Sequence, residues 1–205
     1  MLQEPVPRFI GQISGLLVET GIFPEDLPPN HVLINSYNRG QGIAPHQDGP
    51  LYEPLVAILS LDGPALLQFW PPRVDSDGVA LAPDLNATSA DREPSTSILC
   101  EPNSLVVFRG DAYKTHWHGI VSADHDVLAA HTGNLNALSG ALKGAAHGTR
   151  VERKDRRVSL TVRRVLNVLD DDSRVYTANA MAEEKRKEKW WLASRGEEGL
   201  ARGFI

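Results

Sequence analysis

Two histidines and a carboxylate stand where a non-haem iron centre would need them: His46-Gln47-Asp48 in the first quarter of the chain, and His118 far downstream within Trp117-His118-Gly119-Ile120. Three such ligands on one face of a metal leave the opposite positions open for a co-substrate and for O₂, so the chemistry on offer is oxygen activation. Neutral imidazole and carboxylate suit Fe(II), whereas a closed structural zinc site usually draws on thiolates, and Cys100 is the only cysteine. By themselves these residues also fit a surface turn with a hydrogen-bonded histidine. His116 competes for the third position, because a strand through residues 113–120 would point it the same way as His118.

Ligands so far apart in sequence need strands to bring them together, and two strands carry polar residues of their own. Residues 156–165, Arg-Arg-Val-Ser-Leu-Thr-Val-Arg-Arg-Val, alternate with period two, so that Arg157, Ser159, Thr161 and Arg163 share one face and Val158, Leu160, Val162 and Arg164 the other. A guanidinium is a planar fork suited to a carboxylate, and such a face lining a barrel mouth could hold a dicarboxylate such as 2-oxoglutarate. A solvent-facing edge strand guarded by cations is the alternative. Upstream, Val32-Leu33-Ile34-Asn35-Ser36-Tyr37 puts Asn35 and Tyr37 on one face. Either could bond a carboxylate oxygen, or Tyr37 could pack in the core while Asn35 serves the turn at Asn38-Arg39-Gly40.

In chain order these pieces read Asn35-x-Tyr37, His46-x-Asp48, His118 and Arg157-x-Ser159-x₃-Arg163, and in this order the sequence resembles the AlkB family of Fe(II)/2-oxoglutarate dioxygenases over roughly residues 29–169. The stretch His46-Gln47-Asp48-Gly49-Pro50-Leu51-Tyr52-Glu53-Pro54, followed by Val56-Ala57-Ile58-Leu59-Ser60-Leu61, looks most like the sixth alkylation-repair homologue branch of animals and plants. The resemblance implies that His46, Asp48 and His118 bind Fe(II), His118 being preferred to His116 for its apolar-His-Gly-Ile context. It further implies that Asn35, Tyr37, Arg157, Ser159 and Arg163 surround 2-oxoglutarate, with Arg157 at its distal carboxylate, and that O₂ is the oxidant. The implied activity is oxidative demethylation of N-methylated nucleic acid, RNA or single-stranded DNA. A protein side-chain dioxygenase, or a metal barrel that reads modified RNA, are the alternatives. Pro50 stands where the bacterial repair enzyme carries a second aspartate that contacts the damaged base, so base recognition is not inherited with the motif. Only about 30 residues precede the Asn-x-Tyr strand, where family members carry part of a nucleotide-binding lid, and the expectation is a chain shortened there.

The remaining elements are consistent with a mainly β chain. Strands are expected at residues 31–37, 43–46, 55–61, 65–70, 97–101, 104–109, 113–120 and 156–168, and an amphipathic helix at 8–23. Eight short strands with few helices suggest a double-stranded β-helix, a jelly roll with the metal at its mouth. Residues 1–28 read as an N-terminal helix segment, 29–169 as the dioxygenase domain and 170–205 as a tail, in which 183–191 form a charged helix ending in a Trp pair. Residues 71–94 and 128–148 read as insertions, the second a candidate cover over the site.

Composition bounds the function. With 205 residues, 41% of them hydrophobic, the chain can bury one domain's core. A single cysteine argues for a reducing compartment, and neither a basic-then-apolar leader nor an apolar run of about 18 residues is present, so a soluble intracellular protein is expected, with cytoplasm and nucleus as the compartments that the resemblance implies. A net charge of −5 and a pI near 5.8 give no support to strong duplex binding. Oligomeric state is not legible.

Overall fold

A run of apolar residues on one side of a single helix, and strands buried on both faces, set the layers of this molecule. The computed structural model describes residues 7–85 and 93–167, which, Asn167 aside, belong to the compact unit Val6–Leu166. Helix α1, Arg8–Glu19, follows Pro7 and turns Ile10 and Leu17 inward. It ends four residues before the expected limit because Gly21 takes φ +73° and the amides of Ile22 and Phe23 fold back onto the Leu17 carbonyl.

Ten strands follow: β1 His31–Asn38, β2 Ile43–His46, β3 Leu55–Asp62, β4 Ala65–Trp70, β5 Thr96–Cys100, β6 Leu105–Arg109, β7 Trp117–Ile120, β8 His125–Val127, β9 Arg150–Glu152 and β10 Arg156–Arg163. They form two four-stranded antiparallel sheets, ordered β1-β10-β3-β6 and β2-β7-β4-β5, with β8 and β9 as a separate hairpin. The fold is mainly β, a double-stranded β-helix as expected. Between the sheets lies an apolar core of Val56, Ile58, Leu67, Phe69, Cys100, Phe108 and Ile120.

Each sheet also buries part of its outer face. Helix α1 covers the first, packing Ile10, Leu17 and the nearby Phe23 on Ala57, Leu160 and Val162. Strand β10 is therefore central, paired with β1 on one side and β3 on the other, which rules out an edge-strand role for its arginines. The second sheet turns Leu66 and Leu99 outward against Leu128, Leu138 and Val151 of the 128–152 segment. That segment is thus a packed outer layer and not a cover over the site. The buried Arg153–Asp126 pair, 2.7 Å apart, helps hold it, since Asp126 also accepts from the Leu66 amide.

Two expected strands are shorter than their patterns suggested. Residues 111–114 form a helical turn, α2 Asp111–Lys114, closed by Thr115 N donating to the Asp111 carbonyl, so only 117–120 of the expected strand 113–120 is extended. Strand β10 stops at Arg163, after which Val165 makes a lone bridge to Tyr52. The tail helix at 183–191 and part of the 71–94 insertion lie outside the described residues. Among the described residues no helix is long and apolar enough to cross a membrane.

Candidate metal and co-substrate centre

The centre is built on one cross-strand pair. His46 at the end of β2 lies directly opposite His118 on β7, with ring centroids 4.4 Å apart. Such proximity requires the two backbones to approach closely, and Gly119 permits it: a Cβ there would sit 2.8 Å from the Ile43 carbonyl. Three residues past His46, just after Asp48, Gly49 takes φ +80° and the chain turns. One ligand atom from each of His46, Asp48 and His118 lies within 4.8 Å of the others, the one such cluster among the described residues.

Local interactions suit these groups to a divalent cation. The Nδ1 of His46 is 2.9 Å from the Ala44 carbonyl, so the ring would coordinate through Nε2. Asp48 has a 2% exposed side chain and accepts at Oδ1 from the Arg163 guanidinium at 3.0 Å, while its Oδ2 is buried with no hydrogen-bond partner among the described residues. Burial first, then the neighbouring His46 and Arg163, hold the His118 imidazole well below the usual histidine range, so it is neutral at pH 7 and able to donate a lone pair. Phe108 and Phe69, with ring centroids 5.0 Å and 6.1 Å from that of His118, form an apolar wall. The donor set, the orphaned carboxylate oxygen and the neutral ring all fit Fe(II).

The polar half of the barrel lies beside the triad. Across β1 and β10, Tyr37 faces Arg157, Asn35 faces Ser159 and His31 faces Arg163, so these side chains share the interior. The Asn35 amide donates to the Thr161 hydroxyl at 2.9 Å. Arg157 is 6% exposed and donates to the Gly63 carbonyl at 2.9 Å and to the Ser60 hydroxyl at 3.1 Å. Its partners are neutral, and among the described residues no carboxylate pairs with it. The Nε atoms of Arg157 and Arg163 are buried without hydrogen-bond partners among the described residues. A guanidinium face of this kind is suited to a dianion. The guanidinium of Arg163 also lies over the Tyr52 ring, 5.0 Å from its centroid.

His116 is not part of this group. Residue 116 follows the α2 turn instead of lying in a strand, and its Nδ1 stands 3.1 Å from the Asp111 carbonyl and 3.2 Å from the Thr115 hydroxyl. Three contributors were missed in the sequence: Ser60, Tyr52 and Tyr113, whose hydroxyl donates to the Gly49 carbonyl at 2.8 Å. For Ser60 a signal existed, as alternation along Leu55–Asp62 places it on the face of Val56 and Ile58. For Tyr113 none existed, since the turn that orients it is not periodic.

The model of the 2OG-Fe(II) oxygenase superfamily matches residues 2–163. A zebrafish protein, "Probable RNA/DNA demethylase ALKBH6", is 34% identical over 82% of this chain and 67% of its own length. The chain belongs to the AlkB family of 2OG-Fe(II) oxygenases. This oxygenase is also 22% identical, over 98% of its length, to 28% of the Xenopus tropicalis "tRNA (carboxymethyluridine(34)-5-O)-methyltransferase alkbh8". Against the solved structure of OsALKBH1 it aligns with a TM-score of 0.43 and 17% identity, over 77% of this chain and 64% of the other. The superfamily uses Fe(II), 2-oxoglutarate and O₂, the set of cofactors that the ligand types anticipated.

The buried histidines make the metal-free protein sensitive to acid. Burial, then Arg163, also lowers the pKa of His31. In the unfolded chain both His31 and His118 would titrate near about 6.5, so on acidification the unfolded state takes up protons first and is favoured. Their contribution is complete above that pH and is lost as pH falls below it. The melting temperature of the metal-free oxygenase is expected to hold above about pH 6.5 and to fall below it, with the buried His118 contributing up to about 1.4 kcal/mol of stability per pH unit and the half-buried His31 less. A flat profile in calorimetry would contradict the burial of these rings.

Proposed function

We propose that this oxygenase removes N-linked methyl groups from nucleic acid, RNA or single-stranded DNA, in the cytoplasm and nucleus. The observation that carries the reading is the triad of His46, Asp48 and His118 beside a buried guanidinium face, in a chain 34% identical to a probable RNA/DNA demethylase. In this reading the triad holds iron, and Asn35, Tyr37, Arg157, Ser159 and Arg163 surround 2-oxoglutarate, with Arg157 at the distal carboxylate. When bound, Fe(II), 2-oxoglutarate and O₂ supply the oxidation of a C–H bond, and an N-methyl carbon so hydroxylated leaves as formaldehyde. The protein's own part is positional. Arg163 holds one Asp48 oxygen so that the other faces the metal, and Phe69 and Phe108 keep water from the His118 side. Pro50 stands where the bacterial repair enzyme carries a base-contacting aspartate, and the net charge of −5 gives no support to strong duplex binding.

The test is coupled turnover. With Fe(II) and 2-oxoglutarate, N-methylated single-stranded RNA or DNA oligonucleotides should raise succinate release above the substrate-free rate and yield formaldehyde in equal amount. Stimulation by peptides, with none by any methylated oligonucleotide, would replace this reading by a side-chain dioxygenase. Imaging of the tagged protein tests the compartment.

A further inference from the structure

Asp48 is the one member of the triad that does not sit on a strand. His46 and His118 are fixed by sheet pairing, but β2 ends at His46, and Asp48 lies in a turn that contains a glycine at φ +80°. Backbone pairing therefore does not hold the carboxylate in place, and a permissive glycine follows it. Two hydrogen bonds do so instead, one on each side of Asp48. The Gln47 side-chain amide donates to the Thr115 carbonyl at 2.9 Å, and the Tyr113 hydroxyl donates to the Gly49 carbonyl at 2.8 Å. Both partners belong to residues 113–115, just ahead of His118. Tyr113 is itself anchored, 7% exposed with its ring in the apolar core.

We infer that Gln47 and Tyr113 are positioning residues for the metal, a latch that fastens the Asp48 turn to the α2 turn and so sets the carboxylate against the two histidines. The inference rests on reading Asp48 as an iron ligand. Together with the Arg163 contact to Oδ1, the latch leaves the Asp48 side chain little freedom before metal arrives. A ligand already in place binds without the entropy of ordering a loop, and partners that orient ligands govern affinity for this reason. A purely structural tyrosine would behave differently, since its hydroxyl would contribute to folding and leave metal affinity unchanged.

The experiment is titration of the full metal-free chain with Mn(II), followed by electron paramagnetic resonance, with thermal unfolding of each metal-free variant alongside. Tyr113→Phe and Gln47→Ala should each weaken Mn(II) binding about tenfold or more and alter the bound-Mn(II) spectrum, while melting close to wild type without metal. Unchanged affinity in both variants would overturn the latch. If Tyr113→Phe proves poorly folded, Gln47→Ala decides by itself, because its part-buried amide can be lost without opening the core. A wild type that binds no Mn(II) would overturn the iron-site reading and the latch with it, whereas binding that Asp48→Ala loses but Tyr113→Phe and Gln47→Ala keep would overturn the latch alone.

Discussion

Asp48→Ala is expected to lose turnover of 2-oxoglutarate by about a hundredfold or more, since even partners that merely orient ligands are worth ten- to a hundredfold and this residue is proposed as a ligand itself. The same substitution should also weaken the metal-free fold. Asp48 pairs with Arg163 at 3.0 Å, with side chains 2% and 10% exposed, and removing one member of such a pair leaves the other charge buried and uncompensated at a cost of about 3 kcal/mol. Asp48→Asn separates the two effects. Its amide oxygen can still accept from Arg163 but carries no charge and is a poor ligand, so it should lose turnover while keeping part of the stability that Asp48→Ala forfeits. Succinate release and chemical denaturation of the two variants check this, and an Asp48→Asn enzyme with full turnover would remove Asp48 from the centre.

Arg157→Met should likewise lose binding while keeping stability. The Arg157 guanidinium is buried among the neutral oxygens of Gly63 and Ser60, an arrangement that gains its full value only when an anion joins it. A charge-assisted hydrogen bond is worth about 1.5–3 kcal/mol, so losing a bidentate pair should weaken 2-oxoglutarate binding by about two orders of magnitude. Methionine fills similar space without a charge, and the metal-free variant should stay within about 1 kcal/mol of wild type, because replacing a buried ion by a packed apolar group is often neutral. Anaerobic titration with Fe(II) and 2-oxoglutarate, following the visible band of the chelate, reads the first effect, and denaturation reads the second. A variant that binds 2-oxoglutarate as wild type does would assign the distal carboxylate to another residue.

Much of this centre could be read directly because it depends on local rules. Alternation along 156–163 put Arg157, Ser159, Thr161 and Arg163 on one face, and the structure keeps them there, since successive side chains of a strand point to opposite sides whatever the rest of the chain does. The same rule grouped Asn35 with Tyr37. The apolar spacing of residues 8–19 marked a helix, and only its end was misplaced, as one glycine conformation closes it while the hydrophobic pattern runs on through Ile22 and Phe23.

What alternation leaves open is which faces meet, and these contacts depend on pairings between residues far apart in the chain. Register alone sets His46 opposite His118, and a helical turn at 111–114, with no periodic signature of its own, removes His116 from the face it seemed to share and aims Tyr113 at Gly49. The Arg163 contact to Asp48 and the seat of Arg157 on Ser60 and Gly63 likewise arise only when the sheets close. The placement of residues 128–152 as an outer layer follows the same rule, since their leucines and valine bury against whichever sheet face is still uncovered once the barrel has formed. The sequence by itself therefore determined the ligand types and the polar face of β10, because both follow from residue chemistry and a period of two. The tertiary structure decided which histidine joins the triad, how Asp48 is held and what each arginine faces, because these rest on register and loop closure across long separations.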